Sequence, residues 1–307
     1  MRILLYCLLA ISLFGCNHKF KINYNLKDGL PIKIQKNIRV ALVLGGGGAK
    51  CIAQLGVISV LEENNIPIDL IIGTSGGSIA GALYADHPHA VDLKKKYFNF
   101  KQADLMSFSL LSAINGTYST RASIINGENG EKFLNDNMTA QTFDKLQIPF
   151  IAIATDVITG ETVALDSGAI SPAVRASYSI PGLFAPVKLY GRTLVDGGVT
   201  APLGIETAKE YDPEIIIAVD VGRPIDKSEV SNMIDLTYKS LNITYNTLNK
   251  MLCKQADILI QPKVGAAGLF DDHKREEFYQ AGVEAAKKAL PAIKRMLKEK
   301  ERKRKLI

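Results

Sequence analysis

Two short apolar runs, residues 39–44 (RVALVL) and 69–72 (DLII), each end in a glycine cluster that opens a helical pattern. The first gives way to Gly45-Gly46-Gly47-Gly48-Ala49-Lys50. A helix follows to residue 64, with Cys51, Leu55 and Ile58 on one face, and Pro67 ends that region. The second run gives way to Gly73-Thr74-Ser75-Gly76-Gly77 and then a helix to about residue 85. Strand, glycine loop, helix, strand, sharp turn, helix is an order that implies a parallel sheet with helices on its faces. Further strands are expected at 150–155, 161–165, 187–190, 193–195, 214–220 and 257–261. Further helices are expected at 171–178, 204–210, 233–252 and 276–290. The fold class is therefore α/β, with a central, mostly parallel sheet sandwiched by helices.

The chain has 307 residues, with hydrophobic content of 47% and charged content of 22%, values of an ordinary globular protein. Residues 1–16 read as an export signal: Arg2, an apolar stretch over 3–14, then Gly15-Cys16. That stretch is too short to span a membrane as a mature helix. Leu13-Phe14-Gly15-Cys16 resembles a bacterial lipobox, which would make Cys16 the lipidated N-terminus, held at an outer membrane or its periplasmic face. A non-lipidated signal or an uncleaved anchor reads the same residues differently. Residues 17–37 form a polar tether, 38–290 the main folded domain, and 291–307 a basic helical tail. Between 294 and 305 stand eight lysines and arginines against two glutamates. Such a run is either a solvated helix end, where cations suit the helix dipole, or a contact for anionic lipid headgroups. Charge confined to one tail argues against nucleic-acid binding. Within 86–147, scattered apolar residues at 94–100 and 105–114 read as helices covering the sheet or as an apolar cap over a lipid site.

Ser75 carries the strongest chemical signal. A serine at a strand-to-helix turn, with Gly73 and Gly77 two positions either side, is a nucleophile-elbow pattern. The glycines let the chain bend sharply, and the helix start offers free N–H groups to a developing negative charge. A nucleophilic serine also needs a base. Only four histidines exist, and His273 alone follows the candidate acids, in a charged setting that suggests a surface helix start. His87 and His89 flank Pro88 with no evident third ligand, and no Cys/His spacing suggests zinc. The remaining candidate is Asp196, which leaves an apolar strand end into Gly197-Gly198 at the edge where α/β sites form. On its own, Asp-Gly-Gly is also a common turn. The glycine run at 45–50 lacks the Gly-Lys-Ser/Thr of a Walker loop and the third glycine of a dinucleotide fingerprint. It fits an oxyanion hole. A conventional Ser–Asp–His esterase using His273, a phosphate-binding protein and an inert lipid-binding lipoprotein stay open as alternatives.

In order, these three motifs resemble the patatin-like phospholipase family, from about residue 39 to about residue 290. Gly46-Gly47-Gly48-Ala49-Lys50 looks like that family's oxyanion segment, Gly73-Thr74-Ser75-Gly76-Gly77 like its elbow, and Asp196-Gly197-Gly198 like its catalytic turn. Residues 276–286 resemble the closing helix of bacterial members. The resemblance implies a three-layer fold, a Ser75–Asp196 dyad and hydrolysis of acyl esters of membrane phospholipids or lysophospholipids, with no required metal or cofactor. The implied partner is a lipid bilayer, met as substrate and through the N-terminal lipid. Cys51 stands where the family usually has glycine, and Lys50 where arginine is commoner.

Overall fold

The computed structural model describes residues 37–99, 127–222, 229–230, 233–265 and 273–306. The signal, the lipobox and nearly all of the tether lie outside the described residues, as does the expected helix at 105–114. The strands are β1 (Val40–Leu44), β2 (Leu70–Thr74), β3 (Phe150–Asp156), β4 (Thr162–Leu165), β5 (Val187–Leu189), β6 (Arg192–Asp196), β7 (Ile215–Val219) and β8 (Ile258–Ile260). The helices are α1 (Ile52–Glu63), α2 (Gly76–Asp86), α3 (Ala90–Asn99), α4 (Glu128–Asn137), α5 (Ile170–Tyr178), α6 (Ile205–Lys209), α7 (Met233–Leu252) and α8 (Arg275–Arg304).

One sheet runs in the order β5-β6-β3-β2-β1-β7-β8, with β4 also paired to β3. β3-β2-β1-β7-β8 is parallel, while β4, β5 and β6 run antiparallel to their partners. The parallel core explains the unbroken apolar runs. Val40, Leu42 and Leu44 pack into a large cluster with α1, α2, α5 and α8. Ala41 and Val43 face a smaller cluster with Leu203 and α6. A strand covered on both faces has no polar side to alternate with.

α8 runs without a break through Pro291 to Arg304, so the segment beyond residue 290 is a continuation of the core helix rather than a separate tail. The reason is packing: Ile293 is fully buried, and Met296 and Leu297 lie against the core. Arg304 Nε sits 3.3 Å from Glu214 Oε1. α8 crosses α1 almost backbone to backbone. A Cβ on Gly282 would stand 1.8 Å from the Ala53 carbonyl oxygen, and one on Gly56 2.1 Å from that of Tyr279. Gly282→Ala must push the two helices apart. The expected loss is roughly 3 kcal/mol, at the upper end for overpacked cores, and thermal melting checks it.

Neither of the two described cysteines forms a disulfide. Cys51 is fully buried. Burial beside Asp220 pushes the Cys253 thiol up to about 12, so at neutral pH it stays protonated and donates to Asp220 Oδ2.

Candidate active site

The sheet register itself brings Ser75 and Asp196 together. β3 pairs with β4 along one edge. Its other edge is shared: β2 pairs with it up to Thr74–Ile153, and β6 takes over at the next residue, with Asp196 opposite Ala154. β2 and β6 therefore meet with their C-terminal ends together. The residue after Thr74 is Ser75, so the two side chains converge although they are 121 positions apart.

Ser75 occupies the elbow with φ 55 and ψ −127, a conformation that costs a non-glycine residue on the order of 1–3 kcal/mol. The surroundings enforce it. Helix α2 starts at Gly76, and the Ser75 carbonyl accepts from both the amide and the hydroxyl of Ser78. Gly77 lies so close to β1 that a Cβ there would stand 2.3 Å from the Leu44 carbonyl oxygen. Thr74 Oγ1 donates to the Ala201 carbonyl at 3.1 Å.

Ser75 Oγ donates to Asp196 Oδ2 at 2.6 Å, and the two residues are only 3% and 4% exposed. The second oxygen, Oδ1, accepts from the Gly198 amide at 2.6 Å and caps the turn Gly197–Val199. One carboxylate thus caps the Asp-Gly-Gly turn through Oδ1 and meets the serine hydroxyl through Oδ2. Both oxygens act as acceptors, as those of an ionised carboxylate do. Thr155 Oγ1 donates to the Asp196 carbonyl at 3.1 Å.

Two residues of the α5 region hold the pair from behind. The Ser75 amide donates to Ser177 Oγ at 3.0 Å, and the Asp196 amide donates to the Ser179 carbonyl at 2.9 Å. Nothing in their spacing signals a backing role, because both contacts join distant segments.

The glycine loop lies against the elbow, and a Cβ on Gly46 would stand 2.9 Å from the Ser75 Cβ. The structure narrows the donor set expected there. Gly46 is a poor oxyanion donor, because its amide bonds to the Pro202 carbonyl at 3.3 Å. Its own carbonyl accepts from the Tyr245 hydroxyl of α7. The Gly45 amide bonds to Val219, and Gln54 Nε2 donates to the Gly45 carbonyl at 2.6 Å. Gly47 and Gly48, with Gly48 at φ 58, carry the amides that no described backbone carbonyl takes. Ala49 and Lys50 are buried in the 3-10 turn Gly48–Cys51. Cys51 fills the space beneath the elbow: a Cβ on Gly76 would meet its sulfur at 2.7 Å. Its extra bulk relative to glycine is therefore absorbed against the elbow.

His273 is exposed just before α8, the helix that packs on α1. The group that takes the Ser75 hydroxyl is a carboxylate. The pair His87 and His89 does have a third neighbour after all. Asp92, on the first turn of α3, lies 3.2 Å from His87 Nε2 and 3.1 Å from His89 Nδ1. The ligand atoms of the three lie within 4.8 Å of one another. They sit past the far end of α2, about 16 Å of helix from Ser75.

An elbow serine bonded to a buried carboxylate, beside a glycine loop with open amides, is the equipment of an α/β serine acyl hydrolase. The profile of the patatin-like phospholipase family matches residues 42–209, and the chain belongs to that family. Lysophospholipase NTE1 of Coccidioides immitis is 30% identical over 83% of this chain, which corresponds to 18% of that protein. An NTE family protein of Mycobacterium bovis is 31% identical over 73% of this chain and 58% of its own length. The chain thus spans less than three fifths of these relatives. Among solved structures, VipD from Legionella pneumophila aligns with a TM-score of 0.48 and 14% identity, over 92% of this chain and 73% of that one.

Proposed function

We propose that the chain hydrolyses acyl esters of membrane phospholipids or lysophospholipids through a Ser75–Asp196 dyad. The observation that carries the proposal is the 2.6 Å bond from the Ser75 hydroxyl to Asp196 at a strained elbow. Ser75 Oγ attacks the ester carbonyl carbon and its proton passes to Asp196 Oδ2. The carbonyl oxygen becomes an oxyanion, stabilised by the Gly47 and Gly48 amides; losing one such donor costs about 2.7–4 kcal/mol. Collapse breaks the ester bond, and the leaving alcohol takes the proton from Asp196. Water then gives a proton to Asp196 and attacks the acyl-serine, releasing the fatty acid and restoring the Ser75 hydroxyl. The family membership and the lysophospholipase named among the relatives support a lipid ester as substrate.

The test is to incubate the purified protein with a mixed phospholipid and lysophospholipid panel and identify products by mass. Free fatty acid with the matching deacylated lipid is the expected result; an unchanged panel contradicts the proposal. His273→Ala should hydrolyse the same lipids within about twofold of the parent chain, since this histidine has no part in the dyad. Loss of activity in that variant would instead favour a triad. Membrane attachment through Cys16 belongs to the same proposal, resting on the sequence of residues 1–16. Labelled palmitate should enter the protein in a bacterial host and be absent from Cys16→Ser.

A further inference from the structure

Helix α2, which begins at the elbow, is joined to α3 by one short link, and two of the four histidines of the chain stand in it, as His87-Pro88-His89. His87 closes α2 as its C-cap, with its amide donating to the Leu83 carbonyl at 3.3 Å. His89 opens α3: the Leu93 amide donates to its carbonyl at 3.0 Å. The link is also held within. The His89 amide donates to the His87 carbonyl at 2.7 Å, and the Ala90 amide to Glu62 Oε2 at 2.8 Å. Pro88 fixes its own φ between the two histidines. The backbone that carries both imidazoles is therefore set before any ligand arrives.

Both rings turn to one carboxylate oxygen. His87 Nε2 lies 3.2 Å and His89 Nδ1 3.1 Å from Asp92 Oδ2, and the rings are tilted by 38° with centroids 5.9 Å apart. An exposed histidine–carboxylate pair at a helix start is ordinary and worth little, but it needs one histidine. Two imidazole nitrogens converging on the same oxygen have the spacing of a coordination shell. Zinc, with ligand bonds of about 2.1 Å, sets tetrahedral neighbours about 3.4 Å apart. The ligand atoms of all three residues lie within 4.8 Å of one another, and no other such group occurs among the described residues. His89 and Asp92 share a helix face at i,i+3, while His87 comes from the end of the preceding helix.

We infer that His87, His89 and Asp92 bind a divalent cation of the zinc class, which clamps the C-terminal end of α2 to the first turn of α3. The donor set selects the class. Two imidazoles and one carboxylate suit Zn2+ and its transition-metal neighbours, whereas Mg2+ and Ca2+ take oxygen ligands. The side chains of His87, His89 and Asp92 are 50%, 52% and 47% exposed, which leaves the fourth position to water. His87 also lines a cavity of about 500 Å³ with Asp86, Thr142 and Lys145, which gives the cation a way in. Three protein ligands, one fewer than a closed structural zinc site has, place the affinity in the micromolar range. The cation sits at the opposite end of α2 from Ser75. It is a clamp on the elbow helix with no part in the dyad, and its test does not depend on the proposed hydrolysis.

Calorimetric titration of the untagged full chain with zinc chloride should show one equivalent of micromolar affinity. That equivalent should be missing from the double variant His87→Gln, His89→Gln. Asp92→Asn should weaken it by at least roughly tenfold, since losing a ligand costs no less than losing a partner behind one. His273→Gln should bind as the parent chain does. No such equivalent in the parent chain, or its survival in the double variant, overturns the site. Zinc at about a hundredfold over its dissociation constant should raise the melting temperature by about 5 °C. Magnesium or calcium chloride at the same concentration should leave it unchanged, and a shift equal to that of zinc overturns the nitrogen-ligated site. The unmodified chain gives a readout that needs no variant. Diethyl pyrocarbonate should modify the exposed His87, His89 and His273 alike, and zinc should protect the first two only, as located by mass. Equal protection of His273, or none of His87 and His89, overturns the inference.

Discussion

Ser75→Ala is expected to lower lipid-ester hydrolysis on the order of 10⁴-fold, with Asp196→Asn falling by a similar factor. That corresponds to about 5 kcal/mol of transition-state stabilisation. The two changes remove different things. Alanine removes the attacking oxygen. Asparagine keeps the shape and an oxygen able to accept from the Gly198 amide, so the turn Gly197–Val199 stays capped. What it loses is the ability to take the serine proton. Both residues are nearly buried and act as one unit, so the double variant should be little worse than either single one. Full activity in both single variants would contradict the dyad. The melting temperature of Asp196→Asn should stay within a few degrees of the parent, which separates lost chemistry from lost fold.

Gly46→Ala is expected to lower turnover about a hundredfold, the scale of a reacting group misplaced by about an ångström. The new Cβ would stand 2.9 Å from the Ser75 Cβ and 3.5 Å from Tyr245 Cε2. The loop must shift away from the elbow, carrying the Gly47 and Gly48 amides with it, while the Gly46 carbonyl pulls on its bond from Tyr245. The loop sits at the C-terminal end of β1, beyond the sheet pairing that holds the core, so the melting temperature should fall much less than the rate. Steady-state kinetics on a soluble ester check this, and a variant with parent turnover would place the oxyanion donors elsewhere.

The parts of this site that are legible in the sequence are those with strong local constraints. An elbow needs glycines at fixed offsets from Ser75, and the loop packed against it needs glycine at 46, where a Cβ would stand 2.9 Å from that of Ser75, so residue identity alone marks both. Asp196 is legible because it ends an apolar strand into two glycines. The parallel core is legible because buried strands such as β1 carry no polar alternation. The supports are not legible. Ser177 holds the Ser75 amide across 102 positions, and Tyr245 reaches the Gly46 carbonyl across 199. No periodicity connects such partners; only the tertiary fold does. α7 contributes Tyr238, Leu241 and Tyr245 to the cavity beside Asp196, and nothing in the helical pattern of residues 233–252 points to that place. Asp92 is near in sequence to His87 and His89, yet it joins them only because α3 begins where it does.

In the proposed mechanism Ser75 is a nucleophile activated by Asp196. A fluorophosphonate probe reacts with a serine oxygen only when a neighbouring base draws off its proton. Incubating the intact protein with such a probe, digesting it and locating the adduct by mass tests this directly. The expected result is one adduct on the peptide bearing Ser75, strongly diminished in Asp196→Asn. An unlabelled Ser75 in a protein that still hydrolyses lipid esters, or an adduct on another serine, would contradict it.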